Sequence, residues 1–145
     1  MTMFTMYKLN ASIGTSVAES TWTYAPLSAG IDNLTEALNE VVQQYQFFAN
    51  QGHAVNHVTG MAPAVTCTGK RIMGDAAQDY IMGLKYKLGK ERQSSFKLTW
   101  EDEAAAEHSL TVACTICNIQ EWAGAATDDS AISFEIRFDE KPTVA

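Results

Sequence analysis

Ala131-Ile132-Ser133-Phe134-Glu135-Ile136-Arg137-Phe138 puts an apolar side chain at every second position, with Ser133, Glu135 and Arg137 between them. A period of two belongs to a strand with one face in a core and the other in water. The same reading extends upstream. Phe96, Leu98 and Trp100 alternate with Ser95, Lys97 and Thr99 over residues 94–101, and the acidic Glu101-Asp102-Glu103 forms the next connection. In the long stretch 107–122, Leu110, Val112, Cys114 and Ile116 lie on one register and Thr111, Ala113, Thr115 and Cys117 on the other. Residues 64–71 set Val65, Cys67 and Gly69 against Thr66, Thr68 and Lys70, and residues 41–50 are rich in β-formers on both registers. A turn follows at Asn50-Gln51-Gly52, and residues up to Pro63 read as a second loop.

One helix interrupts the strands. After Gly74, Asp75 is placed to accept from the amide of Gln78, and the Gln78 side chain to reach back to the amide of Asp75, as in a capping box. Ala77, Tyr80, Ile81 and Leu84 then fall on one stripe, and the helix is expected to end near Gly83. The fold class predicted is mainly β: a sandwich or barrel of antiparallel strands with one short α-helix packed on it. Residues 32–39 are ambiguous, because Leu34, Ala37, Leu38, Val41 and Val42 fit helical spacing. Residues 1–30, rich in Ser, Thr and Gly, read as an N-terminal arm whose anchors Trp22, Tyr24 and Leu27 pack on something, with 31–145 as a single domain.

Composition bounds the chemistry. The 145 residues carry 17 acidic and 10 basic side chains, a formal charge of -7, and are 46% hydrophobic. Such a chain buries a core without staples, and three cysteines do not make a disulfide framework. The acidic balance argues against tight binding of nucleic acid. No apolar run approaches the roughly 18 residues of a membrane helix, and the start lacks a leader pattern, so a soluble, cytoplasmically made protein is expected.

Cys114 and Cys117 have CxxC spacing, but three residues apart on a strand they point to opposite faces, and no second pair completes a zinc set. They and Cys67 read as buried apolar cysteines. His53 and His57 lie in a segment flanked by Gly52 and Gly60 and read as surface loop residues, and His108 has no evident carboxylate partner. Asp79 reads as a solvated neighbour of the helix stripe. Gly83 to Glu91 resembles a phosphate loop but has five residues between the glycines, and Glu91 where a magnesium ligand is needed. Lys85, Lys87, Lys90 and Arg92 form the one basic cluster, either a solvated helix end or a contact for an acidic neighbour. Neither a nucleophile elbow, a zincin motif nor a dinucleotide fingerprint occurs, and no cofactor or metal is expected.

Four stretches carry a resemblance: Gly30-Ile-Asp-Asn-Leu-Thr-Glu-Ala-Leu-Asn-Glu40, Gly60-Met-Ala-Pro63, Gly69-Lys-Arg-Ile-Met-Gly-Asp-Ala-Ala-Gln-Asp-Tyr-Ile81, and Ile132-Ser-Phe-Glu-Ile-Arg-Phe-Asp-Glu-Lys-Pro142. Over residues 25–142 the chain resembles the tail tube (major tail) proteins of tailed bacteriophages and prophages of Gram-positive hosts. It departs from that pattern at Glu140, where Gly is expected, and the resemblance places residues 32–39 in an extended connection. What it implies is a structural virion protein and not an enzyme. Its subunits form hexameric rings, joined edge to edge into an inner barrel and stacked into a conduit for DNA. Implied partners are further copies, the tape measure, tail terminator and distal tail proteins, and double-stranded DNA in transit. The implied location is the virion tail, reached from the host cytoplasm. Six copies at -7 each would put -42 on a layer, which repels phosphates. Candidate interface residues are the arm anchors and two charged groups, Glu101, Asp102 and Glu103 on one side and Lys85, Lys87, Lys90 and Arg92 on the other. Readings kept beside it are the tube of a phage-like bacteriocin or secretion apparatus, and a monomeric β-sandwich interaction module.

Overall fold

The computed structural model describes residues 2–145. Its strands are β1 (Asn10–Ala18), β2 (Thr21–Pro26), β3 (Ile31–Ala37), β4 (Val41–Gln46), β5 (Ala54–Gly60), β6 (Ala64–Lys70), β7 (Gln93–Glu101), β8 (Glu107–Gln120), β9 (Ala131–Phe138) and β10 (Thr143–Val144), with one α-helix, α1 (Ala76–Gly83). Eight strands form one antiparallel sheet, seven of them in the order β2-β1-β7-β8-β9-β6-β3 and the eighth, β10, paired with β8. The short β10 follows β9 on the same side of β8, at Leu110 and Thr111. The predicted class, antiparallel β with one short helix, is the class observed.

Alternation decides what is inside. Phe96 and Leu98 of β7, Val112, Cys114 and Ile116 of β8, Ile132, Phe134 and Ile136 of β9, and Val65 and Cys67 of β6 share one buried cluster with Ala11 and Ile13 of β1. Full burial of each large aliphatic or aromatic side chain contributes about 1.5–3 kcal/mol. Helix α1 packs on this cluster through Ala77, Ile81, Met82 and Leu84. Its N-cap is as expected, with Asp75 accepting from the Gln78 amide at 3.1 Å.

Gln78 itself behaves differently from the predicted capping box. Its side chain is fully buried and turns into the body: Nε2 donates to the carbonyls of Ala29 (2.8 Å) and Lys70 (3.0 Å), and Oε1 accepts from the Ile72 amide at 2.8 Å. The reason is local demand. The β2–β3 connection and the end of β6 present backbone groups inside the protein, and a buried polar group must be paired.

Three segments depart from the sequence expectation. Residues 10–26, expected in a loose arm, are two core strands: β1 pairs with β7 from Asn10↔Thr99 to Ile13↔Phe96, and β2 pairs with β1. The ambiguous residues 32–39 fall mostly in strand β3, which pairs with β6 along its length, so tertiary pairing overrides helical spacing. Residues 54–60, expected as loop, are strand β5, paired with β4. Glu140 fills the place of the expected turn glycine with a hydrogen bond, accepting at Oε1 from the Ala113 amide at 3.1 Å.

The hairpin β4–β5 follows the β3–β6 pair across a short break in the ladder, where the Ala62 amide donates to the Leu38 carbonyl at 3.0 Å. Asn39 sits there at φ 49, a conformation Asn tolerates, and its side chain donates to the Ala62 carbonyl at 3.0 Å. Gly30 and Gly69 let the ladder close at its other end. A Cβ on Gly69 would overlap the Gly30 carbonyl oxygen and lie 2.8 Å from the Ile31 Cα, and Gly30 itself is at φ 74.

Candidate functional site

The expected arm contacts are intramolecular. Leu27 is in the core, Tyr24 shares a 2.8 Å hydrogen bond with Ser95, and the Trp22 ring lies over Gly14. What the fold leaves open is elsewhere. β2 pairs only with β1, and β3 only with β6, among the described residues, so both margins of the sheet end in unpaired backbone. The β4–β5 hairpin stands off the core with every residue from Val41 to Thr59 exposed. Large apolar side chains are exposed along it, namely Val41, Val42, Tyr45, Phe47, Phe48, Val55 and Val58, with Val42 opposite Val58 and Tyr45 opposite Val55. The Tyr45 and Phe47 rings stack at 5.7 Å. A two-stranded ribbon alone in water is marginally stable at best, and a cluster of exposed apolar side chains marks a contact site.

The basic cluster is divided by the structure. Arg92 is spent on the chain itself, its guanidinium donating to the carbonyls of Lys85, Lys87 and Ile116. Lys85 pairs with Glu121 at 2.6 Å, and Glu121 also takes Arg71 at 2.9 Å. Arg71 reaches on to Asp79 at 2.8 Å, so Asp79 is paired and not simply solvated as expected. This knot ties α1 and its flanking loops to the end of β8. The hydrogen bond from Lys85 first, and that from Arg71 against the opposing effect of burial, hold the Glu121 carboxyl below the usual carboxylate range. A depressed carboxylate contributes stability above its unfolded value, about 4.3, and loses it as pH falls through the folded value. Glu121→Gln is therefore expected to melt several degrees lower at pH 7 and to flatten the acid side of the stability curve. Thermal melts between pH 3 and 7 check this; parallel curves for the two proteins would contradict it.

At the acidic end, Asp102 and His108 form a 2.7 Å pair, a partner not evident in the sequence because it closes across the β7–β8 turn. Their mutual hydrogen bond is the main cause that raises the His108 value and lowers that of Asp102. His53 and His57 are exposed on or beside the hairpin, and His57 faces Gln43. Cys114 is buried and Cys117 half-buried on the other face of β8, as a strand requires, while burial pushes the thiols of Cys67 and Cys114 up to about 12. No group of three or more metal-ligating side chains converges among the described residues. No helix among them is long and apolar enough to cross a membrane.

This mainly antiparallel sheet with one short helix matches a tail-tube-like fold. Over 99% of both chains it superposes on a protein in the tail of an empty gene transfer agent particle refined with C6 symmetry, with a TM-score of 0.72 and 9% identity. The SPP1 tail tube gives a TM-score of 0.63 at 16% identity over 94% of this chain and 76% of that one. A sheath-tube complex of an extracellular contractile injection system gives 0.62 at 10% identity over 99% and 91%. Neither a protein-family model nor a curated protein sequence matches the chain.

Proposed function

We propose that this protein is a tail tube subunit that assembles into hexameric rings, stacked into a conduit through which DNA passes. The observation that carries this reading is the combination of two unpaired sheet margins with an exposed apolar hairpin. An open strand edge is an aggregation hazard in a monomer, and closing it on identical neighbours turns the hazard into the joint. The hairpin supplies a second contact, reaching roughly 20 Å from the core at about 3.3 Å per residue. The acidic balance fits a wall that DNA slides past without adhering. The neighbouring parts of a tail, namely tape measure, terminator and distal tail proteins, are the further partners of this reading. The tube of an injection apparatus without a genome shares its geometry.

The test is concentration of the purified protein followed by negative-stain microscopy. Rings or tubes about one subunit fold thick are expected. Replacing residues 41–60 by a short Gly-Ser turn should leave a cooperative melt, since the hairpin buries none of its large side chains, and should abolish tubes. Monomers only, at any concentration, would favour the interaction-module reading and end this one.

A further inference from the structure

The exposed charged groups at the two ends of β7 are opposite in sign. The segment before β7 displays Tyr86 (88% exposed), Lys87, Leu88 (85% exposed) and Lys90. With Lys85 and Arg92 engaged internally, the ammonium groups of Lys87 and Lys90 have no polar partner among the described residues. The segment after β7 is the opposite in sign. Glu101 and Glu107 sit directly across from each other in the β7–β8 register, flanking Asp102 and Glu103. Like charges facing one another across a ladder are unfavourable until a cation joins them.

Beside this turn lies a groove of about 910 Å3, lined by Phe4, Tyr7, Leu9 and Trp100 as well as the carboxylates, with Lys8 the one lysine or arginine among the described lining residues. One end of the strand thus carries a groove lined by apolar side chains and carboxylates together. The other carries apolar side chains alternating with lysines. Nine residues of β7 separate them, roughly 26 Å at 3.3 Å per step, so the two features cannot meet within one chain. A contact between unlike surfaces at opposite ends is what a head-to-tail stack requires.

We infer that the loop Tyr86–Lys90 of one copy seats in the groove beside Glu101 and Glu107 of a copy in the next layer. This rests on the tube reading and adds the polarity and chemistry of the layer contact. Lys87 and Lys90 bridge the facing glutamates, and Tyr86 and Leu88 enter the apolar part of the groove.

The experiment uses three full-length variants: Lys87→Glu with Lys90→Glu, Glu101→Lys with Glu107→Lys, and all four changes together. All four positions are exposed, and thermal melts check that each variant folds. Sedimentable tube is expected to fall about tenfold in each double variant and to return to within about twofold of wild type in the fourfold swap. Folded double variants that assemble like the wild type, or a folded fourfold swap that assembles no better than they do, would overturn the pairing while leaving the tube reading intact. A wild-type protein that forms no tube would overturn both.

Discussion

Ile81→Asp is expected to cost about 3–5 kcal/mol and to lower the melting temperature by roughly 10–20 °C. Ile81 is fully buried on the inward stripe of α1, between Ala77 and Leu84, where the helix meets β1, β2 and β8. An aspartate there has no cation within the core cluster, so the chain must strand a charge, protonate the group or lift the helix off. Lifting the helix also removes Gln78 from the Ala29 and Lys70 carbonyls, leaving those groups to find other partners. Ile81→Leu, nearly equal in volume, should cost less than about 1.5 kcal/mol. If the aspartate variant melts close to wild type, α1 is not a core element.

Gly69→Ala is the second large effect, expected to destabilise by about 3 kcal/mol or more through backbone overlap. Gly69 lies in β6 with Ile31 of β3 on one side and Ile132 of β9 on the other. The added methyl meets the backbone of Gly30 and Ile31, and no side-chain rotation relieves that. The outer strand β3 must move, breaking the 2.7 Å bond from the Lys70 amide to the Gly30 carbonyl. Amide exchange should accelerate first in β3 and the facing edge of β6, with β7 and β8 still protected. Gly83→Ala is the control: nothing lies within 4 Å of its added Cβ, and the change should be neutral or slightly stabilising. Uniform loosening of the whole sheet by Gly69→Ala would show that the overlap is not confined to the β3 edge.

How far the sequence was readable follows from where each segment stands relative to the core. β9 and α1, and β7 from Phe96 onward, each have one face more buried than the other, so their periods are clear. β1 buries small residues, Ala11 and Gly14, around a single large one, Ile13, and its Ser and Thr content disguises a strand as a tail. β5 has no buried face at all, so no alternation reveals it, and only its pairing with β4 makes it a strand. Asp102 and His108 are brought together by a hairpin register that the acidic run gives no hint of. The open margins, which carry the functional reading, have no residue signature, because an unpaired edge is a property of strand order alone. Gln78 had one overlooked clue: a polar residue between Ala77 and the apolar stripe, on the inward side of a short helix.

The run of β3–β6 into β4–β5 has a mechanical meaning. Because the hairpin prolongs the β3–β6 ribbon, a pull on its tip travels down two strands at once into the body. There β6 lies alongside β9 from Ala64↔Arg137 to Lys70↔Ala131, and the load falls on that ladder lengthwise. Its hydrogen bonds are then strained together and cannot be peeled one after another, so a subunit gripped by its tip resists traction as a tether does.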